Sequence, residues 1–156
     1  MRAFSAAHDD YSNLEVTRKL ITFMGTVKAV QTLPAEDLHT LLLLITIISR
    51  RADNRACLAT EGGIGVVLHA MRAHADSLPV QKQACAAIWN LVVHSSSNRV
   101  RVASRGGVQI IAAALKKFPK ESGLVRLAVA VLASLSAEST WGYETKCWST
   151  IDGDQL

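Results

Sequence analysis

Aromatic residues are scarce in this sequence: Phe, Trp and Tyr make up 5% of its 156 residues, whereas apolar residues of all kinds make up 49%. Proline is rare too, with three residues, and there are nine glycines. An apolar core of this composition must be built mainly from Ala, Leu, Val and Ile, which suits helices that pack closely against one another. Length and composition therefore predict one all-α domain with a single core.

A long hydrophobic segment is also missing. The longest largely apolar run, at residues 41–48, is too short to cross a bilayer. The opening residues, MRAFSAAHDDYSN, lack the apolar stretch of a secretory signal and carry Asp9 and Asp10, which also argue against a transit peptide. We therefore expect no membrane span and an intracellular protein, with the cytoplasm as the default compartment and the nucleus left open.

Cysteine number and histidine spacing give no support to a metal site or an enzyme. The three cysteines are odd in number and have no Cys-x-x-Cys spacing, so neither a disulfide framework nor a zinc site is predicted, and we expect Cys57 and Cys85 to be small core residues. The five histidines occur singly, without a His-Glu-x-x-His motif, and no glycine-rich phosphate loop follows a strand. These histidines are His8, His39, His69, His74 and His94. We predict a non-enzymatic protein with no cofactor.

An internal repeat is the strongest signal. NRACLATEGGIGVV, from Asn54, aligns without gaps with NRVRVASRGGVQII, from Asn98, at a shift of 44 residues. The same shift places residues 80–93 on 124–137 and, carried backwards, 39–51 on 83–95. A repeat domain over residues 1–137 is therefore predicted, with units of about 10–53, 54–97 and 98–137.

Each unit is expected to contain three helices. Asn54 or Asn98 is predicted to cap a short first helix, and a Gly-Gly pair then allows a sharp turn into the second. The third helix, from about residue 79 to 93, is apolar on nearly every side, as expected of a helix packed between neighbours. SNLE at residues 12–15 has the spacing of a capping box and should open a long helix that reaches about Val30.

Residues 138–156, ESTWGYETKCWSTIDGDQL, do not continue the repeat. Two interpretations stay open for them. Trp141, Tyr143 and Trp148 would pack as a C-terminal cap on the last exposed apolar face of the array, or the segment is a disordered tail.

The 44-residue period, the three helices, the Gly-Gly between the first two and the sequence AIWNL in the third resemble the armadillo repeat family. The resemblance covers roughly three quarters of the chain. It implies an all-α, right-handed superhelix of about three repeats whose third helices line a concave groove. It also implies a protein-binding module or scaffold, with another protein or an extended peptide segment as its partner.

The resemblance also implies groove residues. In the family, an Asn of the third helix commonly holds the backbone of an extended peptide, since a carboxamide offers both a donor and an acceptor. The residues at that position are Asn90 and, by the 44-residue shift, Thr46 and Ser134; those one turn earlier are Ala86, Leu42 and Ala130. Members that import basic cargo carry a repeated Trp at the earlier position, so binding of nuclear localisation signals is not expected here.

Two of these assignments have alternatives. Asn90 either binds a peptide or bonds to the backbone of a neighbouring repeat. Trp89 lies roughly 100° around the helix from Asn90, so it either packs between repeats or anchors a ligand at the edge of the groove.

Basic residues cluster in the middle of the chain, where residues 49–105 carry eight Lys and Arg against three acids. Stacking of the repeats is expected to bring two groups of arginines onto one edge as a basic rim: Arg50, Arg51 and Arg55, with Arg99, Arg101 and Arg105. Such a rim would suit an acidic partner or a phosphate backbone, or it is simply a solvated edge. Nucleic-acid binding is disfavoured, because no aromatic residues are interleaved for stacking.

A last hypothesis is structural: three repeats are few for a self-sufficient array, so an uncovered end would pair with another copy or with further repeats of a longer chain.

Overall fold

The computed structural model describes residues 14–25, 30 and 32–136, and their regular structure is α-helical, as the composition predicted. The helices are α1 (Leu14–Gly25), α2 (Ala35–Ile48), α3 (Ala52–Thr60), α4 (Gly63–Ala73), α5 (Leu78–Val92), α6 (Ser96–Ser104), α7 (Gly107–Lys117) and α8 (Ser122–Ser136). No strand occurs within these described ranges. Three predicted features lie wholly or partly outside them: residues 138–156, with Trp141, Tyr143 and Trp148; the Ser12 end of the capping box; and residues 26–29 of the predicted first helix.

Helices α3 to α5, which we call set A, have the same lengths and spacing as α6 to α8, which we call set B. Each helix of set B begins and ends 44 residues after its counterpart in set A. Helix α2 ends 44 residues before α5, and it therefore matches the third helix of a set. In space α5 lies between α2 and α8 and packs against both.

The core is centred on α5. Val80, Ala84, Ala87, Ile88 and Leu91 of this helix are fully buried, since α5 contacts α4 of its own set as well as α2 and α8. Small residues at two of these positions allow the helices to approach closely. This arrangement explains why the third helix is apolar on nearly every side.

The prediction that Asn54 and Asn98 cap the first helices is wrong. Arg51 and Ser95 precede these helices, and the Oγ of Ser95 accepts from the backbone N–H of Asn98 at 3.3 Å. Both asparagines lie inside their helices and are buried. Nδ2 of Asn98 donates to Leu91 O at 2.8 Å, so its amide satisfies a carbonyl at the end of α5.

The two Gly-Gly pairs form the turns between first and second helices, as predicted. Gly62 and Gly106 have left-handed backbones, with φ of 91° and 76°. The glycine that follows each of them is required for a different reason. A Cβ at Gly63 would lie 2.7 Å from Leu58 O, so a larger residue would collide with the preceding helix.

Helix α1 packs against α3 and α4. The Nε of Arg18 in α1 lies 3.2 Å from Oε1 of Glu61, and both side chains are exposed, so this ion pair contributes little stability. The predicted continuation of the helix towards Val30 falls on residues 26–29, which are outside the described residues.

Candidate functional site

The third helices α2, α5 and α8 form a continuous row, and most of the predicted groove residues lie partly exposed along it. Those that are half-buried are Thr46 on α2, Ala86, Trp89 and Asn90 on α5, and Ala130 and Ser134 on α8. We call these six residues, together with Gln83, the third-helix surface.

Leu42 is the exception among the predicted groove residues. It is 0% exposed and lies in the core with Leu38 and Ile45, on the side of α2 that is buried. A side chain so placed cannot contact a partner while the protein is folded. Leu42 therefore belongs to the core and not to the partly exposed row.

The side chain of Asn90 on α5 forms a hydrogen bond with the neighbouring third helix, α2. Its Nδ2 donates to Thr46 O at 3.0 Å, which is the neighbouring-repeat hydrogen bond that the sequence left open as an alternative. The carbonyl of Thr46 also accepts from Ser49 Oγ at 2.9 Å. Thr46 O thus accepts two side-chain hydrogen bonds, one from Asn90 and one from Ser49.

Gln83 is a site residue that the sequence analysis missed. Its Nε2 donates to the Oγ1 of Thr46 at 2.7 Å, and that hydroxyl in turn donates to Leu42 O at 2.9 Å. Because Gln83 and Asn90 are seven residues apart, they share one face of α5. Two carboxamides at this spacing were a signal that could have identified Gln83.

Trp89 is half-buried and packs against the hydrophobic core at the edge of the third-helix surface. Its equivalents in α2 and α8 are Ile45 and Ala133, so the indole has no aromatic counterpart 44 residues away. The packing favours a role between helices, and the exposed part of the ring leaves an apolar edge beside Asn90.

Two arginines of the predicted rim are used inside the fold. Arg55 and Arg99 stand at equivalent positions, and each donates to carbonyl groups at the end of the preceding third helix. Nη1 of Arg55 donates to Arg50 O at 2.8 Å and to Ser49 O at 3.2 Å, and Nη1 of Arg99 donates to Val92 O at 3.3 Å. These guanidinium groups close helix ends, where carbonyls lack partners of their own.

The other rim arginines do not form a repeated edge. Nη1 of Arg101 donates to Ala59 O at 2.6 Å and so joins set B to set A. Arg50, Arg51 and Arg105 are exposed, but none of them has a Lys or Arg 44 residues away. The structure therefore brings together no regular basic ladder from the six predicted residues.

The cysteines of the described residues are buried, as expected of core residues. Burial raises the pKa of the Cys85 thiol to about 12, because the low-polarity surroundings disfavour the charged thiolate. Cys85 is therefore a poor nucleophile at neutral pH. No group of three or more His, Cys, Asp and Glu that could hold a metal ion occurs in the part of the chain that the structure describes.

The family model of the armadillo/beta-catenin-like repeat matches residues 51–93, which contain the whole of α3, α4 and α5. Residues 51–93 are thus similar to an armadillo repeat. The resemblance noted in the sequence is thereby confirmed. Armadillo repeats are non-enzymatic helical repeats that generally mediate protein–protein interactions.

The chain is also similar to a curated protein. The protein aardvark of Dictyostelium discoideum is 34% identical over 134 residues, which cover 74% of this chain and 17% of that protein. The chain thus spans about a sixth of the length of this relative. No solved structure matches the chain significantly. Among the described residues, no helix combines the length and the apolar character needed to span a membrane.

Proposed function

We propose that this protein is a non-enzymatic interaction module of about three armadillo repeats, in which an extended segment of a partner protein binds along the third-helix surface. In this proposal the repeats stack as a right-handed superhelix, with units of about 10–53, 54–97 and 98–137. The row of α2, α5 and α8 lines the concave side of this superhelix. The protein acts inside the cell. The observation that supports it best is the pair of carboxamides, Gln83 and Asn90, which lie on the same face of α5 as the half-buried Ala86.

Binding would use a change of partner at Asn90. The amide now donates to Thr46 O, and a partner's backbone carbonyl would replace that acceptor while a backbone N–H donates to Oδ1 of Asn90. The exchange costs little, because Thr46 O keeps its hydrogen bond from Ser49 Oγ. The small side chains of Ala86 and Ala130 leave room for bulky partner residues beside the backbone contact.

The arginines of the predicted rim give less support to the alternative function, binding of an acidic or phosphate-bearing partner. Three of its six guanidinium groups already bond to backbone carbonyls, and the remaining three do not recur with the repeat. Phosphate binding relies on Lys and Arg side chains that reach the phosphates, and guanidinium groups bonded inside the fold are less available for it.

The test is partner capture from native extract with wild type, Asn90→Ala and the control Gln109→Ala. Gln109 is an exposed amide on α7 and is not part of the third-helix surface. We expect the partner to be retained by wild type and by the control and to be lost or weakened at least about tenfold for Asn90→Ala, which corresponds to about 1.4 kcal/mol. Circular dichroism must show equal helicity for all three proteins. Equal retention by Asn90→Ala would contradict binding at this surface.

A further inference from the structure

Sets A and B differ in the burial of one side, the side that faces away from the preceding helices. Ile64 and Cys85 of set A are 0% exposed, whereas their equivalents in set B, Val108 and Val129, are 39% and 53% exposed. Leu68, Met71 and Ile88 are likewise buried, and their equivalents Ala112, Leu115 and Leu132 are exposed or half-buried. We call the residues Val108, Ala112, Leu115, Val129 and Leu132 the open end face.

In set A the corresponding side is covered by set B. Nη2 of Arg72 on α4 donates to Arg105 O in the turn before α7, at 2.9 Å, and α5 packs against α8. In set A, the apolar residues on this side are thus buried against the next set of helices. In the described part of the chain, nothing buries the open end face of set B in the same way.

The charges around the open end face are mostly basic. Residues 107–136 carry four Lys and Arg and one acid, and Lys116 and Arg126, on the two helices that form the face, are exposed. Residues 138–156, which follow α8, have the opposite balance, with four acids and one Lys. This segment also carries two of the three Trp residues of the chain.

We propose that residues 137–156 fold back over the open end face and cover it, with Trp141, Tyr143 and Trp148 against its apolar residues. The reach is sufficient: Trp141 is five residues beyond Ser136, which allows up to about 17 Å, and packed helices lie only about 8–10 Å apart. The acidic side chains of the segment face Lys116 and Arg126. Since the segment is tethered to α8, its effective concentration at the face exceeds that of a second copy, and the cover keeps the face from pairing with other copies.

Val129→Asp in the full chain tests the proposal, with Val100→Asp as its control. Val100 is 68% exposed on α6, and the equivalent Ala56 is exposed as well, so this position lies off the face. We expect Val129→Asp to lower the urea midpoint of unfolding and Val100→Asp to leave it nearly unchanged. Helix position alone accounts for a small difference between the two aspartates, so the proposal requires an effect at Val129 of the size expected for a buried valine.

A double-mutant cycle identifies the cover. Trp141→Ser/Trp148→Ser in the full chain should lower the midpoint by itself, and adding Val129→Asp should lower it little further, because both changes disrupt one contact. The same Trp changes should combine additively with Val100→Asp. In a Trp89→Phe background, Val129→Asp should also increase quenching of the remaining tryptophans by acrylamide.

Two results would overturn the proposal. If Val129→Asp and Val100→Asp have equal effects, or if Val129→Asp is additive with the Trp changes, residues 137–156 do not cover the face. If the wild-type chain shows a mass that rises with concentration in sedimentation equilibrium, and Val129→Asp abolishes that rise, a second copy covers the face instead.

Discussion

Among the described residues, three side-chain amides join helices by donating to carbonyl oxygens near the ends of other helices. Gln81 donates to Met71 O at 2.8 Å and to His74 O at 3.0 Å, Asn90 to Thr46 O, and Asn98 to Leu91 O. The last turn of a helix leaves carbonyls without backbone donors, and burial removes water as an alternative partner. These amides therefore stabilise the helix junctions at the residue scale.

Asn98→Ala tests this role, because Asn98 is buried and its amide is the donor to Leu91 O. We expect a loss of about 1–3 kcal/mol in the free energy of unfolding, the usual effect of leaving a buried polar group without its partner. Val100→Ala, at an exposed position of the same helix, should change it by less than about 0.5 kcal/mol. Urea unfolding measures both. Equal effects of the two changes would mean that the amide contributes no stability.

The prediction that Asn54 and Asn98 cap helices is wrong, and the positions of Ser95 and Asn98 show why. A sequence gives the residue type and its approximate position, but Ser95 and Asn98 are both good caps and lie three residues apart. Only the path of the chain after α5 decides that Ser95 caps and Asn98 turns inward. For the same reason the sequence could not show that Arg55 and Arg99 close helix ends, because side-chain direction depends on the packed neighbours.

At the scale of the elements, the glycine turns fix where one helix ends and the next begins. Gly62 needs its positive φ, whereas Gly63 needs the absence of a side chain beside Leu58 O. The bounds of the third helix could be predicted to within one residue, because its apolar pattern and its loop are both distinct. Leu42 was predicted to line the groove, but it is buried, because the buried positions of α2 are not those of α5.

Alanine substitutions at three glycines of set A separate these requirements. Gly62→Ala should lower the free energy of unfolding by about 1–2 kcal/mol through backbone strain, and Gly63→Ala should lower it through collision with Leu58 O. Gly65 lies within α4, and a Cβ there meets nothing within 4 Å, so Gly65→Ala should raise it by about 0.5–1 kcal/mol. Thermal or urea unfolding checks all three changes. A stabilising Gly62→Ala would contradict the left-handed turn.

At the scale of the whole molecule, the 44-residue period organises both the fold and the proposed site. It places α2, α5 and α8 in one row, so that residues 44 apart in sequence become neighbours, as Asn90 and Thr46 show. The period was readable from the sequence because Asn-Arg and Gly-Gly recur at the same spacing. The pairing of Gln83 with Thr46 could not be predicted from the sequence, because neither residue type recurs 44 residues away.

The most direct test of the central claim is photo-crosslinking from single positions in native extract. A photoreactive phenylalanine analogue at Ala86, on the third-helix surface, is compared with the same group at Ala113, an exposed position on α7. The account predicts a discrete protein adduct from position 86 that is absent from position 113 and is lost when Asn90→Ala is added. The same adduct from both positions, or an adduct from position 113 alone, would contradict binding at the third-helix surface.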